Sequence, residues 1–131
     1  MPINTAHLMR ASAFVLMLAG IALLFASDDI LPRVIPEFPA RGAWLGQLLG
    51  GAWLGTAALN WLNRGGRLGG IYGRPVVLAN TVLYFVSAMA LLKIVVLPHP
   101  SPVVVIATIV FVVFAALYGW LMFGGPVSRI D

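Results

Sequence analysis

Four long apolar blocks, separated by short polar stretches, constrain this chain more than any other feature of its sequence. The blocks cover about residues 8–27, 42–62, 76–97 and 103–123. A helix needs about 20 apolar residues to cross the hydrocarbon core of a bilayer, and each block is long enough. The sequence therefore predicts an all-α, integral membrane four-helix bundle with short loops, in which residues 1–131 form a single four-span domain.

The composition excludes several classes of function. Hydrophobic residues make up 61% of the chain and charged residues 9%, whereas about a quarter of the residues of a soluble domain are charged. No cysteine is present, which excludes disulfides and thiolate metal sites. His7 and His99 are expected on opposite sides of the membrane, and no Asp or Glu lies inside a block. We therefore predict no catalytic residues, no metal site and no cofactor other than bound lipid.

The second block carries the pentad Gly-Ala-Trp-Leu-Gly twice within residues 42–55. At about 100° per residue, Gly42, Gly46 and Gly50 share one face of a helix, and Gly51 and Gly55 lie on the opposite side. Small residues allow membrane helices to approach closely, so two neighbours are expected. The predicted helix-packing residues are Gly42, Gly46, Gly50, Gly51 and Gly55, together with Ala115 and Gly119 in the fourth block.

Polar side chains inside the blocks form a second pattern. Gln47 and Lys93 are predicted about one turn inside one membrane boundary, and Asn60 and Asn80 about one turn inside the other. We therefore expect the second block to pack against the third through at least one interhelical hydrogen bond. Lys93 has the alternative of extending to the headgroups. A polar cavity would be lined by Gln47, Asn60, Asn80, Tyr84, Ser87 and Lys93.

The loop between the second and third blocks contains Arg64, Arg67 and Arg74 among glycines. Its spacing fits neither nucleotide-binding glycine motif, and nucleic-acid binding would need a basic, accessible face. The arginines are interpreted as a topology signal or, alternatively, as a binding site for an anionic lipid headgroup.

The loop over residues 27–41 holds three prolines and the acidic residues Asp28, Asp29 and Glu37. Proline disfavours a helical conformation in the residue before it, so a mostly extended connection with at most one short helical turn is expected. The carboxylates lack the spacing of a calcium loop and are interpreted as solvated.

The distribution of basic residues predicts the orientation. One side would hold Arg10, Arg64, Arg67, Arg74 and Arg129, and the other Arg33, Arg41 and Lys93. Since cytoplasmic loops are enriched in Lys and Arg, both termini are predicted to be cytoplasmic. The first block has no good cleavage pattern at its end and is interpreted as a retained span.

The order of these elements resembles a known group. An acidic, proline-bearing outer loop precedes the glycine-rich stretch Gln47-Leu-Leu-Gly50-Gly51-Ala-Trp-Leu-Gly55, and a basic inner loop follows it. This arrangement is similar to the DoxX-like small bacterial four-helix membrane proteins. The resemblance implies a four-helix fold in the bacterial inner membrane. It does not imply a thiol-linked role, because this chain has no cysteine.

Three functional hypotheses follow. The first is a packing or accessory subunit of a membrane complex or homo-oligomer, with membrane lipids, other subunits or its own copies as partners. The second is a small carrier or a lipid- or isoprenoid-binding protein with a polar cavity between spans 2 and 3. The third is a membrane-embedded enzyme that uses the same polar groups.

Overall fold

The computed structural model describes residues 4–66 and 73–124, and the chain is helical in both ranges. These two ranges contain four helices, α1 (Thr5–Val34), α2 (Ala43–Asn63), α3 (Gly73–Val95) and α4 (Pro102–Phe123), and a 3₁₀ turn at Ala40–Gly42. Neither range contains a strand. The prediction of an all-helical chain with four helices is confirmed.

The helices form two compact units. Residues 4–65 form one unit, in which α1 and α2 pack as an antiparallel hairpin. Residues 73–124 belong to the second unit, where α3 packs against α4.

Three of the helices are long and apolar enough to cross a membrane within the ranges that the structure describes. The best 18-residue windows of α1, α3 and α4 have mean hydropathies of 2.1, 1.9 and 2.5. Helix α2 has 21 residues but is not among the three. Its glycines, Gln47 and asparagines lower the mean hydropathy of its best window below those of the other three helices.

Helix α1 begins with a side-chain cap and contains a kink. The Asn4 side chain accepts hydrogen bonds from the backbone N–H groups of Ala6 (3.1 Å) and His7 (3.4 Å), which satisfies free donors of the first turn. Ala26 has non-helical angles, φ −131° and ψ 26°. Ser27 donates its hydroxyl to the Leu23 carbonyl, one turn back, a local bond that often accompanies helix bending.

The connection after the first block differs from the expected extended loop. Residues 27–34 continue α1 beyond the kink, although Pro32 lies among them. The helix ends where Ile35 becomes extended, at φ −121° and ψ 102°. Pro36 follows Ile35, and a proline disfavours the helical conformation in the residue before it. The sequence prediction overestimated the effect of Pro32 and was wrong for these eight residues.

Aromatic rings hold the α3–α4 hairpin together. Tyr84 is fully buried, and its ring lies 5.2 Å from Phe111, 4.8 Å from Phe114 and 5.6 Å from Tyr118 between centroids. The first contact is edge-to-face and the other two are stacked. Such pairs contribute more than the burial of their area alone, so Tyr84 is the centre of this core.

Candidate functional site

The backbones of α1 and α2 touch at two glycines. A Cβ atom built at Gly50 would lie 2.7 Å from the Gly20 carbonyl oxygen, and one built at Gly20 would lie 2.9 Å from the Gly50 carbonyl oxygen. Toward the kink, a Cβ at Gly46 would lie 2.6 Å from Ser27 Oγ. Any larger side chain would therefore push the helices apart. Gly46 and Gly50 form one packing surface of α2, and α1 covers it.

The remaining predicted packing residues lie elsewhere. Gly42 belongs to the 3₁₀ turn before α2, and a Cβ there would lie 2.8 Å from Phe38 Cε1. A Cβ at Gly51, Gly55 or Gly119 would meet no neighbouring atom of the described chain within 4 Å. Ala115 is half-buried in α4. The idea that α2 has neighbours on two sides stays a prediction, since the Gly51 and Gly55 face is exposed.

Exposed side chains share the helix face of Gly51 and Gly55. Gln47 lies one turn before Gly51, and Trp44 lies one turn before Gln47. On a helix wheel at about 100° per residue, these residues and Leu62 fall within roughly a quarter of the circumference. We call Trp44, Gln47, Gly51, Gly55 and Leu62 the open face of α2. This face combines two exposed glycines, Gly51 and Gly55, with the exposed amide of Gln47.

A buried polar pair links α1 to α2 near their other ends. Asn60 donates from Nδ2 to Ser12 Oγ over 2.8 Å, and both residues are fully buried. The bond gives the amide a partner, as buried polar groups require. The bond also places Ser12 level with Asn60. At the other end Ser27 lies level with Gly46, and these two contacts together define the register of the hairpin.

The α3–α4 unit holds the other polar residues. Asn80 is fully buried and donates to the Val76 carbonyl over 2.9 Å. Ser87 is half-buried, and Lys93 is exposed in the last turn of α3. Thr108 donates to the Val104 carbonyl over 2.7 Å. The predicted cavity residues therefore divide between the two units. Gln47 and Asn60 lie in the α1–α2 unit, and the others lie in the α3–α4 unit. A cavity that these residues share stays a prediction.

An apolar groove runs along the α1–α2 hairpin. It has a volume of about 480 Å³, within the range of roughly 300–1,000 Å³ that is usual for small-molecule sites. It is lined by Ala13, Phe14, Met17, Leu54, Ala57, Ala58 and Trp61. The three alanines, contributed by both helices, leave space between the larger side chains.

Arg64 lies at one end of the groove. Its guanidinium carbon is 4.1 Å from the centre of the Trp61 ring, and it donates a hydrogen bond to the Trp61 carbonyl. A cation over an indole is held by the charge distribution of the ring. Arg74, also predicted to contact lipid headgroups, is exposed in the first turn of α3, and Arg67 lies outside the described residues.

Sequence reasoning missed Ser12, Gly20 and Ser27, which are the α1 partners of Asn60, Gly50 and Gly46. Gly20 is the only glycine in the first block, so no repeat marks it as a packing residue. One signal in the sequence could have identified it. Gly20 lies near the middle of its span, where a helix that packs against the Gly42, Gly46 and Gly50 face needs a small residue.

In residues 4–66 and 73–124, no three His, Asp or Glu side chains gather in a way that could hold a metal ion. No family model, curated protein or solved structure matches this chain.

Proposed function

We propose that this chain is a four-span integral protein of the bacterial inner membrane that acts by packing, as an accessory subunit of a membrane complex or as a homo-oligomer. In this proposal α2 spans the bilayer together with the three more apolar helices, in one four-span domain. The likeness to the DoxX-like proteins is part of the same proposal.

The open face of α2 is the observation that carries the proposal. The Gly46 and Gly50 face is already covered by α1, whereas Gly51 and Gly55 have space for a further helix backbone. In lipid, close approach at small residues and interhelical hydrogen bonds drive helix association. Gln47 supplies an amide one turn from Gly51, and such a bond contributes about 0.6 kcal/mol on average. We infer that a partner helix covers this face.

Leucine substitutions on the open face test this directly. Gly51→Leu and Gly55→Leu fill space that is empty in the described chain, so the hairpin should fold normally while the partner helix is displaced. Ala22→Leu is the matched control, because Ala22 is exposed on α1. The full chain should be purified from native membranes and its associated proteins and copy number measured by native mass spectrometry.

The two glycine variants are expected to lose the associated subunit or the second copy, and Ala22→Leu should keep it. The identity of the lost chain distinguishes an accessory subunit from a homo-oligomer. Retention of the same assembly by both glycine variants would contradict the proposal.

The proposed orientation places both termini in the cytoplasm. Since the chain has no cysteine, single cysteines can be introduced at exposed sites. Ala40→Cys, between α1 and α2, should react with an impermeant maleimide added to cells with a permeabilised outer membrane. Gly65→Cys, after α2, should react only once the inner membrane is opened. The reverse labelling pattern would refute this orientation.

A further inference from the structure

The groove of the α1–α2 hairpin is apolar along its length and charged at one end. Arg64 approaches it from α2 by stacking on Trp61, which is itself part of the groove wall. On α1, Arg10 is exposed one turn before Phe14, and helical spacing places Arg10, Phe14 and Met17 on one stripe. Both arginines lie at the end marked by the Ser12–Asn60 hydrogen bond.

The opposite end of the hairpin has a different charge. Ser27 lies against Gly46 there, and the exposed carboxylates Asp28 and Asp29 follow at once. Glu37 is exposed in the connection to α2, and the exposed Arg33 and Arg41 offset two of these three carboxylates, which leaves a net charge of −1 at this end. An amphiphile with a negative headgroup would therefore bind with its headgroup at the end of Arg10 and Arg64 rather than at the end with the net negative charge, which gives the groove a direction.

We propose that this groove binds one acyl chain of an anionic phospholipid, whose phosphate is bound by Arg10 and Arg64. A guanidinium presents five N–H donors, and Arg64 uses one of them on the Trp61 carbonyl, so donors remain for phosphate oxygens. Guanidinium and phosphate match each other in geometry. Because the Trp61 ring already holds Arg64 in place, little further ordering is needed on binding.

This site requires only that the α1–α2 hairpin lies in a bilayer. Gly51 and Gly55 do not line the groove, so lipid binding is separable from the packing of a partner helix. The proposal therefore goes beyond the packing function, and each can fail without the other.

The test compares two phospholipids with identical acyl chains, phosphatidylglycerol and phosphatidylcholine, on the full-length protein. Lipid retained by the detergent-solubilised protein is counted by native mass spectrometry over a titration. One phosphatidylglycerol should be held more tightly than phosphatidylcholine. A basic residue near a membrane surface contributes about fivefold to the binding of anionic lipid, so Arg64→Gln and Arg10→Gln should each weaken retention of phosphatidylglycerol by about that factor.

Two matched controls sharpen the result. Arg33→Gln removes an exposed arginine from the other end of α1 and should leave retention unchanged. Ala58→Phe fills the groove and should abolish tight retention, whereas Ala22→Phe adds the same ring outside it. Circular dichroism checks that Ala58→Phe folds, and if it does not, the arginine variants alone decide the question.

Equal retention of the two phospholipids would overturn the proposal. So would a loss in Arg33→Gln as large as that in Arg64→Gln, or full retention by a folded Ala58→Phe protein. Loss of lipid in Gly55→Leu would also count against it, because that residue lies outside the groove.

Discussion

An alanine at Gly50 places a methyl group where the backbone of α1 already lies, whereas an alanine at the neighbouring Gly51 meets nothing. The added Cβ at Gly50 would lie 2.7 Å from the Gly20 carbonyl oxygen and 2.9 Å from the Leu24 nitrogen. Both are backbone atoms, so no side chain can rotate away, and the helices must separate. Overpacking of this kind costs about 1–3 kcal/mol.

The adjacent position supplies the reference for this measurement. Replacing glycine by alanine inside a helix gains up to about 1 kcal/mol from helix propensity, and this gain is the same at both positions. The free energy of unfolding of Gly50→Ala should therefore fall below that of Gly51→Ala by about 1–3 kcal/mol. Gly119→Ala, with open space in α4, is a second reference and should behave like Gly51→Ala.

The assay is reversible unfolding in mixed micelles by titration with a denaturing detergent, followed by far-ultraviolet circular dichroism. Gly20→Ala should lower the free energy of unfolding less in the Gly50→Ala protein than in the native protein. The first substitution has already separated the two backbones, and the effects of residues in contact are not additive. Equal stabilities of Gly50→Ala and Gly51→Ala would show that the glycines do not set the distance between α1 and α2.

Three further predictions use the same unfolding assay. A double-mutant cycle with Ser12→Ala and Asn60→Ala should give a coupling free energy of about 0.6 kcal/mol, and a value near zero would mean that their hydrogen bond contributes nothing. Tyr84→Leu removes three ring pairs, each worth about 0.5–1.5 kcal/mol, and should destabilise the α3–α4 unit by roughly 2–4 kcal/mol. The control Phe85→Leu removes an exposed ring and should change the stability little. Glu37 has a left-handed φ of 62°, so Glu37→Asn should raise stability by up to about 1 kcal/mol, and a loss would contradict the assigned strain.

The extent of the helices could be predicted from the sequence because hydropathy and length determine it. The predicted second block, residues 42–62, differs by one residue at each end from α2. The end of α1 could not be predicted in the same way, since three prolines follow the first block and only the one after Ile35 ends the helix.

Which helix packs against which face was harder to predict than where the helices lie. Helical projection separates Gly50 from Gly51 on α2, but it cannot say which face meets a neighbour within the chain. Membrane depth pairs Asn60 with Asn80, and this pairing between α2 and α3 stays a prediction. The structure shows that Asn60 bonds Ser12, a common residue whose position carries no distinctive pattern. The groove was also missed, because it depends on alanines from two helices at the same level.

The close contact between α1 and α2 bears on how the protein is made. In the proposed four-span topology, α2 is the span whose best window has the lowest mean hydropathy, and insertion during synthesis depends on the hydrophobicity of each segment as it leaves the translocon. Its Gly50 backbone and its Asn60 amide are both covered by α1, so a preformed pair presents less polar surface to lipid than α2 alone. We expect α1 and α2 to enter the bilayer together, and the lone glycine of α1 to matter for biogenesis before it matters for stability.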